Sequence, residues 1–68
     1  MNGIKALRLK AGLSQVQLAK QSGLSIETIK KYEQGERSEA RMSLITAQKL
    51  ADVLQMSPGD LVDYITQA

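Results

Sequence analysis

Two helical patterns flank a four-residue turn, and this short connection limits the fold of the chain more than any other feature. The turn is SGLS, residues 22–25, inside the stretch QVQLAKQSGLSIETIKKYEQ, residues 15–34. Helices joined so tightly must cross steeply, which requires a small residue where they approach and a turn residue that tolerates positive φ. Ala19 and Gly23 meet these two needs. The apolar residues that can hold both helices against a core are Leu18, Leu24 and Ile29.

The rest of the chain also favours helices. It has 68 residues, the size of one small domain, so we expect residues 1–68 to form a single folding unit. A hydrophobic content of 43% indicates a globular fold, and the absence of Phe and Trp leaves its core mainly to aliphatic side chains. No stretch alternates convincingly between apolar and polar residues, so strands are not expected. The predicted fold class is therefore all-α.

Capping residues divide the chain into five predicted helices. The first opens near Asn2 and ends at Gly12, because a glycine in the left-handed region commonly ends a helix. A serine stands at the expected N-cap of each of the other four helices, and Gln17 completes a capping box at the first of these. The predicted N-caps are Ser14, Ser25, Ser43 and Ser57, and the further helix-ending glycines are Gly23 and Gly35.

Apolar residues recur within these segments in a way that indicates helices. Each such stripe is expected to pack one face of its helix against a shared core. With short loops between them, the helices predict a compact five-helix domain. The members of the stripes are Ile4, Leu7 and Ala11; Val16, Leu18 and Ala19; Leu44, Ala47, Leu50, Ala51 and Leu54; and Leu61, Val62 and Ile65.

The charges are unevenly distributed along the chain. The net charge is only +2, but residues 1–50 contain all nine lysines and arginines, whereas residues 51–68 contain three aspartates and no basic residue. A basic front and an acidic back indicate a polyanion bound on one side. Ordinary solubilising charge explains the same pattern, so charge alone does not decide between the two interpretations.

The composition argues against an enzyme. The chain has no cysteine and no histidine, which removes thiol chemistry, the usual zinc sites and the commonest general base. Asp60 and Asp63 lie one turn apart in the last predicted helix, where they fit a helix cap and a surface charge. We expect no metal and no cofactor. No apolar run is long enough to span a bilayer and there is no signal peptide, so we expect a cytoplasmic protein that does not associate with membranes.

Three blocks of the sequence, in order and at matching spacing, resemble the phage repressor and Cro family of helix-turn-helix proteins, also called the Xre type. The blocks are LRLKAGLSQVQLA, SGLSIETIKKYEQG and AQKLADVLQMSPGDL, and the resemblance covers roughly Ile4 to Leu61. The resemblance implies a repressor-like five-helix domain with its helix-turn-helix motif at residues 15–34. It also implies that the second helix of the motif, residues 25–34, lies in the major groove of DNA.

The resemblance assigns roles to individual residues of this chain. Gln15 and Gln34 fall where family members contact the phosphate backbone. Arg8 and Glu33 match a pair that forms an internal ion pair in the family. The residues at base-reading positions are Ile26, Glu27, Thr28 and Lys31. Further candidates for phosphate contact, by their charge, are Lys30, Arg37, Arg41 and Lys10.

Several of these residues have a simpler explanation, and the sequence leaves both open. Glu27 can accept a hydrogen bond from cytosine, or act as a favourable charge at the start of a helix. Ile26 can contact a thymine methyl group or pack over the turn. Thr28 can bond to DNA or merely fill the first turn of its helix. Lys30 and Lys31 can belong to a solvated face.

Two features depart from the family pattern. Ser22 stands where the family usually has a branched apolar residue, which puts the packing of the turn in question. The loop of residues 35–43 is longer than in the shortest phage repressors. It carries Glu36 and Glu39, whose negative charges oppose phosphate binding by the neighbouring arginines.

The leading hypothesis is a sequence-specific DNA-binding transcriptional regulator, acting as a repressor, encoded by a bacterium or a phage. Because one motif reads few base pairs, we expect a homodimer, at least on DNA, that binds two half-sites of a double-stranded operator. The alternative is an antitoxin or adaptor-type protein-interaction module of the same fold, whose acidic last helix binds the protein partner. Val62, Tyr64 and Ile65 of that helix can form a dimer surface or cover the core.

Overall fold

The computed structural model describes residues 3–66 and consists of helices joined by short loops. These residues contain five α-helices, one 3₁₀ turn and no strand, which confirms the predicted all-α fold class. Asn2, near which the sequence predicts the start of the first helix, lies outside the described residues, and α1 follows Gly3. The helices are α1 Ile4–Lys10, α2 Gln15–Ser22, α3 Ile26–Glu33, α4 Leu44–Leu54 and α5 Pro58–Thr66, and the 3₁₀ turn is Glu39–Arg41.

Serine caps fix where four of the helices begin. Ser14 Oγ accepts a hydrogen bond from Gln17 N at 3.1 Å and Gln17 Oε1 accepts one from Ser14 N at 2.8 Å, so the predicted capping box is present. The same type of serine cap opens α3, α4 and α5, with donors Thr28 N at 3.1 Å, Thr46 N at 3.1 Å and Asp60 N at 3.0 Å. Each bond satisfies one of the amides that a helix leaves without a partner at its start.

The turn between α2 and α3 is held by backbone and hydroxyl hydrogen bonds. Gly23 has a φ of 76°, in the left-handed region, and its N–H donates to Ala19 O at 3.0 Å, as expected for the residue that ends α2. Ser22 is buried, and its hydroxyl donates to Ala19 O and accepts from Leu24 N, both at 3.3 Å. The serine therefore keeps its hydroxyl satisfied at the position where the family pattern has a branched apolar residue.

One hydrophobic core joins all five helices. α2 packs against both α3 and α4, α4 packs against α5, and α1 packs against α3. Each helix contributes one large, fully buried aliphatic side chain. Detaching any helix from the core would therefore expose apolar surface to water. These five side chains are Ile4, Leu18, Ile29, Leu50 and Leu61.

Four of the predicted stripe residues are exposed, so the predictions that they are buried are wrong. Ala11 is the C-cap of α1, beyond the last turn that packs. Val16, 55% exposed, lies two residues before the nearest buried residue of α2, or about 200° around the helix. Leu44, 68% exposed, is the first residue of α4 and extends past the end of the core. Val62 follows a buried residue, so its side chain points about 100° away from it.

Replacing Gly23 with alanine should destabilise the fold by about 1 to 2 kcal/mol, because an L-residue is strained in the left-handed region. A Cβ at this position would meet no atom within 4 Å, so the cost comes from the backbone alone. Gly59→Ala is the matched control, because Gly59 lies in the first turn of α5 and alanine should stabilise the helix there by up to about 1 kcal/mol. Urea denaturation measures both changes, and equal effects would contradict the assignment of strain to Gly23.

Candidate nucleic-acid interface

α3 presents three different sides to its surroundings. One side is anchored in the core by Ile29 and Tyr32, which are both buried. A second side carries Glu33, whose side chain contacts α1. The third side is open to solvent and carries Glu27, Lys30 and Lys31. The helix is therefore fixed on two sides, and its remaining side is open to solvent.

The side of α3 that faces α1 is held by an ion pair between Arg8 and Glu33. Arg8 Nε donates to Glu33 Oε2 at 2.7 Å and Arg8 Nη2 donates to Glu33 Oε1 at 3.0 Å, which makes the contact bidentate. Arg8 Nη1 donates to Leu13 O at 2.8 Å, so the guanidinium also fixes the chain between α1 and α2. The two charged side chains are only 9% and 4% exposed. This is the internal ion pair that the family resemblance implies.

Gln15, the first residue of α2, belongs to the same network. Its Nε2 donates to Glu33 Oε1 at 3.1 Å, and the residue is half-buried. The amide nitrogen has two N–H groups, so one of them remains available to a further acceptor. Through Glu33, the start of α2 is held at a fixed place relative to the exposed side of α3.

The network shifts the pKa of both charged groups. Burial alone would raise the pKa of Glu33, but the hydrogen bonds from Arg8 and Gln15 and the charges of Arg8 and Lys5 outweigh burial, so this pKa lies below its usual value. The hydrogen bond to Glu33 raises the pKa of Arg8, against the opposing effect of burial, and the charge of Glu33 raises it further. Both groups are therefore ionised at neutral pH.

The four predicted base-reading residues differ in how accessible they are. Glu27 and Lys31 lie one turn apart, and both are exposed. Ile26 is half-buried and packs against the core cluster, as in the simpler of its two explanations. Thr28 Oγ1 lies 2.8 Å from Ser25 Oγ, so its hydroxyl takes part in the capping of α3. Glu27 and Lys31 are the two members of the set that project into solvent.

The loop after α3 brings together two of the predicted phosphate-binding residues. Arg37 and Arg41 line one cleft of about 510 Å³, along with Tyr32. Gln34 is the C-cap residue of α3 and is exposed where the loop begins. Lys30, one turn before Gln34, is exposed as well. These side chains form a polar region at the C-terminal end of α3.

Glu39 has a structural role that the sequence does not reveal. Its Oε2 accepts a hydrogen bond from Ile4 N at 2.9 Å, so the carboxylate caps α1 and ties the 3₁₀ turn to it. Burial raises the pKa of Glu39; the hydrogen bond from Ile4 N opposes this shift, and the charge of Glu33 adds to it. The residues are 35 positions apart, so no local pattern could indicate the contact. Glu39 does not line the arginine cleft.

Lys10, a further candidate for phosphate contact, lies apart from the two loop arginines. It is exposed at the end of α1 and lines a different cleft, beside Leu54 and Met56 at the C-terminal end of α4. Arg41 precedes the N-terminal end of the same helix, which has 11 residues and is therefore roughly 16 Å long. The structure does not bring Lys10 together with Arg37 and Arg41.

Neither a metal centre nor a membrane span is found in the part of the chain that the structure describes. No group of three or more acidic side chains is arranged there to hold a metal ion, and the sequence has no histidine or cysteine. No helix among residues 3–66 is long and apolar enough to cross a membrane.

A comparison with known protein families matches residues 4–61 to the family described as Helix-turn-helix. The match begins with the first residue of α1 and ends inside α5, so it includes the whole of α2, the turn and α3. It agrees with the span, Ile4 to Leu61, over which the sequence resembles phage repressors. A comparison with curated proteins found no match.

Arg8→Met should destabilise the fold by about 3 kcal/mol, because it leaves the carboxylate of Glu33 buried without its counter-charge. The double variant Arg8→Met with Glu33→Met should recover much of this loss, because no charge is then buried. Lys10→Met is the control on the same helix and should change the free energy of unfolding by less than about 0.5 kcal/mol. Urea denaturation measures all three, and equal losses for Arg8→Met and Lys10→Met would contradict a stabilising role of the pair.

Acid should remove the contribution of Glu33 to stability. Folding lowers the pKa of Glu33, so its ionised form stabilises the folded state above the ordinary glutamate pKa of 4.5. That stabilisation is lost as the pH falls through the lower pKa of the folded state. The difference in unfolding free energy between the wild type and Glu33→Gln should therefore be largest near neutral pH and shrink below pH 4.5. Urea denaturation at a series of pH values tests this, and a constant difference would contradict it.

Proposed function

The chain belongs to the Xre/Cro-like helix-turn-helix family of DNA-binding regulators, and we propose that it acts as a sequence-specific transcriptional repressor. In this role α3 lies in the major groove of double-stranded DNA while α2 crosses the phosphate backbone. The main support is the exposed side of α3, which stays open while Ile29, Tyr32 and Glu33 fix the other two sides. A helix anchored in this way can hold its side chains in one register against base edges.

We assign base recognition to the first turns of α3. Glu27 can accept a hydrogen bond from cytosine N4, and Lys31 can donate to guanine O6 and N7. The exposed part of Ile26 can contact a thymine methyl group, and its packing against the core fixes its position. Thr28 would act through its methyl group, or by exchanging its bond to Ser25 for one to DNA. Glu27 and Ile26 then carry most of the selectivity, since a lysine gives affinity to any DNA.

Phosphate contacts would set the register of the protein on the duplex. Gln15 has one N–H group left after its bond to Glu33, and it stands at the N-terminus of α2, where backbone amides and the helix dipole favour an anion. The remaining candidates are exposed side chains that are charged or can donate hydrogen bonds. They are Lys30, Gln34, Arg37, Arg41 and, at the other end of α4, Lys10.

We assign operator recognition to a homodimer that binds two half-sites about one helical turn apart. On α5, Val62 is exposed, whereas Ile65 packs against the core and Tyr64 is half-buried. Val62 is therefore available for contact with a second copy of the chain, whereas Ile65 covers the core. An antitoxin or adaptor would use the same acidic helix to bind a different protein. Such a repressor would bind its operator in the cytoplasm of a bacterium.

Selection of bound duplexes from a random pool tests this function. We expect one recurrent sequence with two inverted half-sites, whose affinity falls steeply with salt because phosphate contacts release counterions. If no sequence is enriched at moderate salt, sequence-specific regulation is wrong. Enrichment of a single half-site would contradict the homodimer and leave specific binding intact. Recovery of a stoichiometric protein partner, without any enriched sequence, would favour the interaction module.

Glu27→Ala should change which DNA sequence is preferred. A carboxylate in the groove accepts a hydrogen bond from cytosine and disfavours base pairs that present only acceptors to it. Lys30→Ala should weaken binding to all sequences alike and lower the salt dependence by about one counterion. Both residues are exposed on α3, so each is the matched control for the other. Repeating the selection with each variant measures the preference. An unchanged preference for Glu27→Ala would show that Glu27 is only a helix-end charge.

A further inference from the structure

The cleft beside the end of α3 is lined by a tyrosine, Tyr32, whose hydroxyl has no hydrogen-bond partner among residues 3–66. Tyr32 is only 5% exposed, and its ring belongs to the hydrophobic core. Among residues 3–66, every side-chain nitrogen or oxygen that is buried from solvent has a hydrogen-bond partner. A hydroxyl without a partner among these residues is therefore not sealed from solvent, and Tyr32 is one of the residues that line the cleft.

The charges around this cleft suit an anion. Arg37 and Arg41 both line it, and Glu36 is the single acidic residue among the lining side chains. Glu39, which lies between the two arginines in sequence, is engaged with Ile4 N instead. Two guanidinium groups against one carboxylate leave the cleft with an excess of positive charge.

The N-terminus of α4 borders the same cleft. Ser43 and Thr46 line the cleft, and Ser43 Oγ accepts from Thr46 N at 3.1 Å. The amides of Leu44 and Ile45 come before that capped amide, and no acceptor for them is found among the described residues. Since α4 has 11 residues, its N-terminus also carries the positive end of a full helix dipole.

We propose that the Tyr32 hydroxyl donates a hydrogen bond to a backbone phosphate of DNA, whose charge Arg37 and Arg41 neutralise in this cleft. The inference rests on the proposed function and adds a positioning residue to it. Because the ring is already buried, the side chain loses little freedom on binding. Tyr32 belongs to the reading helix itself, so this contact connects a phosphate directly to α3 and sets how deeply the helix enters the groove.

Tyr32→Phe tests the contact, because it removes the hydroxyl and keeps the buried ring. We expect binding about tenfold weaker on a duplex with the selected site, the loss typical of one hydrogen bond to a charged group. A mixed-sequence duplex should show a similar loss, since phosphate contacts carry no sequence information. The salt dependence should stay unchanged in Tyr32→Phe, whereas Arg37→Ala should lower it by about one counterion. Tyr64→Phe, outside the cleft, is the matched control and should bind like the wild type.

A second measurement uses the unaltered protein. The chain has only two tyrosines, so an isotopic label at the hydroxyl-bearing ring carbon gives two NMR signals, and Tyr32→Phe identifies one of them. The Tyr32 signal should shift when the duplex is added, and it should shift more than the signal of Tyr64, which lies on α5 and outside the cleft. Inorganic phosphate alone, added as a separate probe, should move the Tyr32 signal less than the duplex does.

Several outcomes would overturn the proposal. One is wild-type affinity of Tyr32→Phe for both duplexes, and another is a Tyr32 signal that does not move at saturating duplex. A Tyr32 signal that moves with inorganic phosphate and not with the duplex would overturn the assignment to DNA. Failure of the proposed function has a different signature, which is equal binding of the selected and mixed-sequence duplexes by the wild type.

Discussion

The carboxylate of Glu33 is the point through which the first three helices are connected. It accepts two hydrogen bonds from Arg8 on α1 and one from Gln15 on α2, and its own backbone belongs to α3. A buried ion pair is weak support for stability as such, because desolvation offsets much of the attraction. Its effect here is geometric, since a bidentate contact fixes the rotation of one helix against another. Together with the burial of Ile29 and Tyr32, that fixed rotation determines which side of α3 faces outwards.

The parts of the fold that depend on neighbouring residues could be predicted from the sequence. Ser14 and Gln17 are three residues apart, and the capping box follows from that spacing alone. The positive φ of Gly23 follows from the short connection between the two helices, which allows few other conformations. The ion pair of Arg8 with Glu33 spans 25 positions, and only the family resemblance implied it.

Contacts between distant residues, and the limits of the core, could not be predicted. The bond from Ile4 N to Glu39 has no local signal, and a glutamate in a polar loop suggests only solvent exposure. The C-cap of α4 is Gln55, which has a φ of 59° without being a glycine, so the usual end signal is absent. Periodicity placed Leu44 on the apolar stripe, but it cannot tell how far along a helix the core extends. Periodicity also gives no role to the hydroxyl of Tyr32, because it identifies the ring only as a core residue.

The proposed interface separates the groups that position DNA from the groups that read it. In this proposal Lys30, Arg37 and Arg41 would attract any duplex, so on their own they would raise non-specific and specific binding together. Glu27 would work in the opposite sense, because a carboxylate in the groove is repelled by phosphates unless a base donates a hydrogen bond to it. A carboxylate among these cations therefore lowers affinity for most sequences more than for the matching one. What matters in a genome is the ratio between those affinities, and on the proposed reading side of α3 an acidic residue would improve that ratio at the expense of absolute affinity.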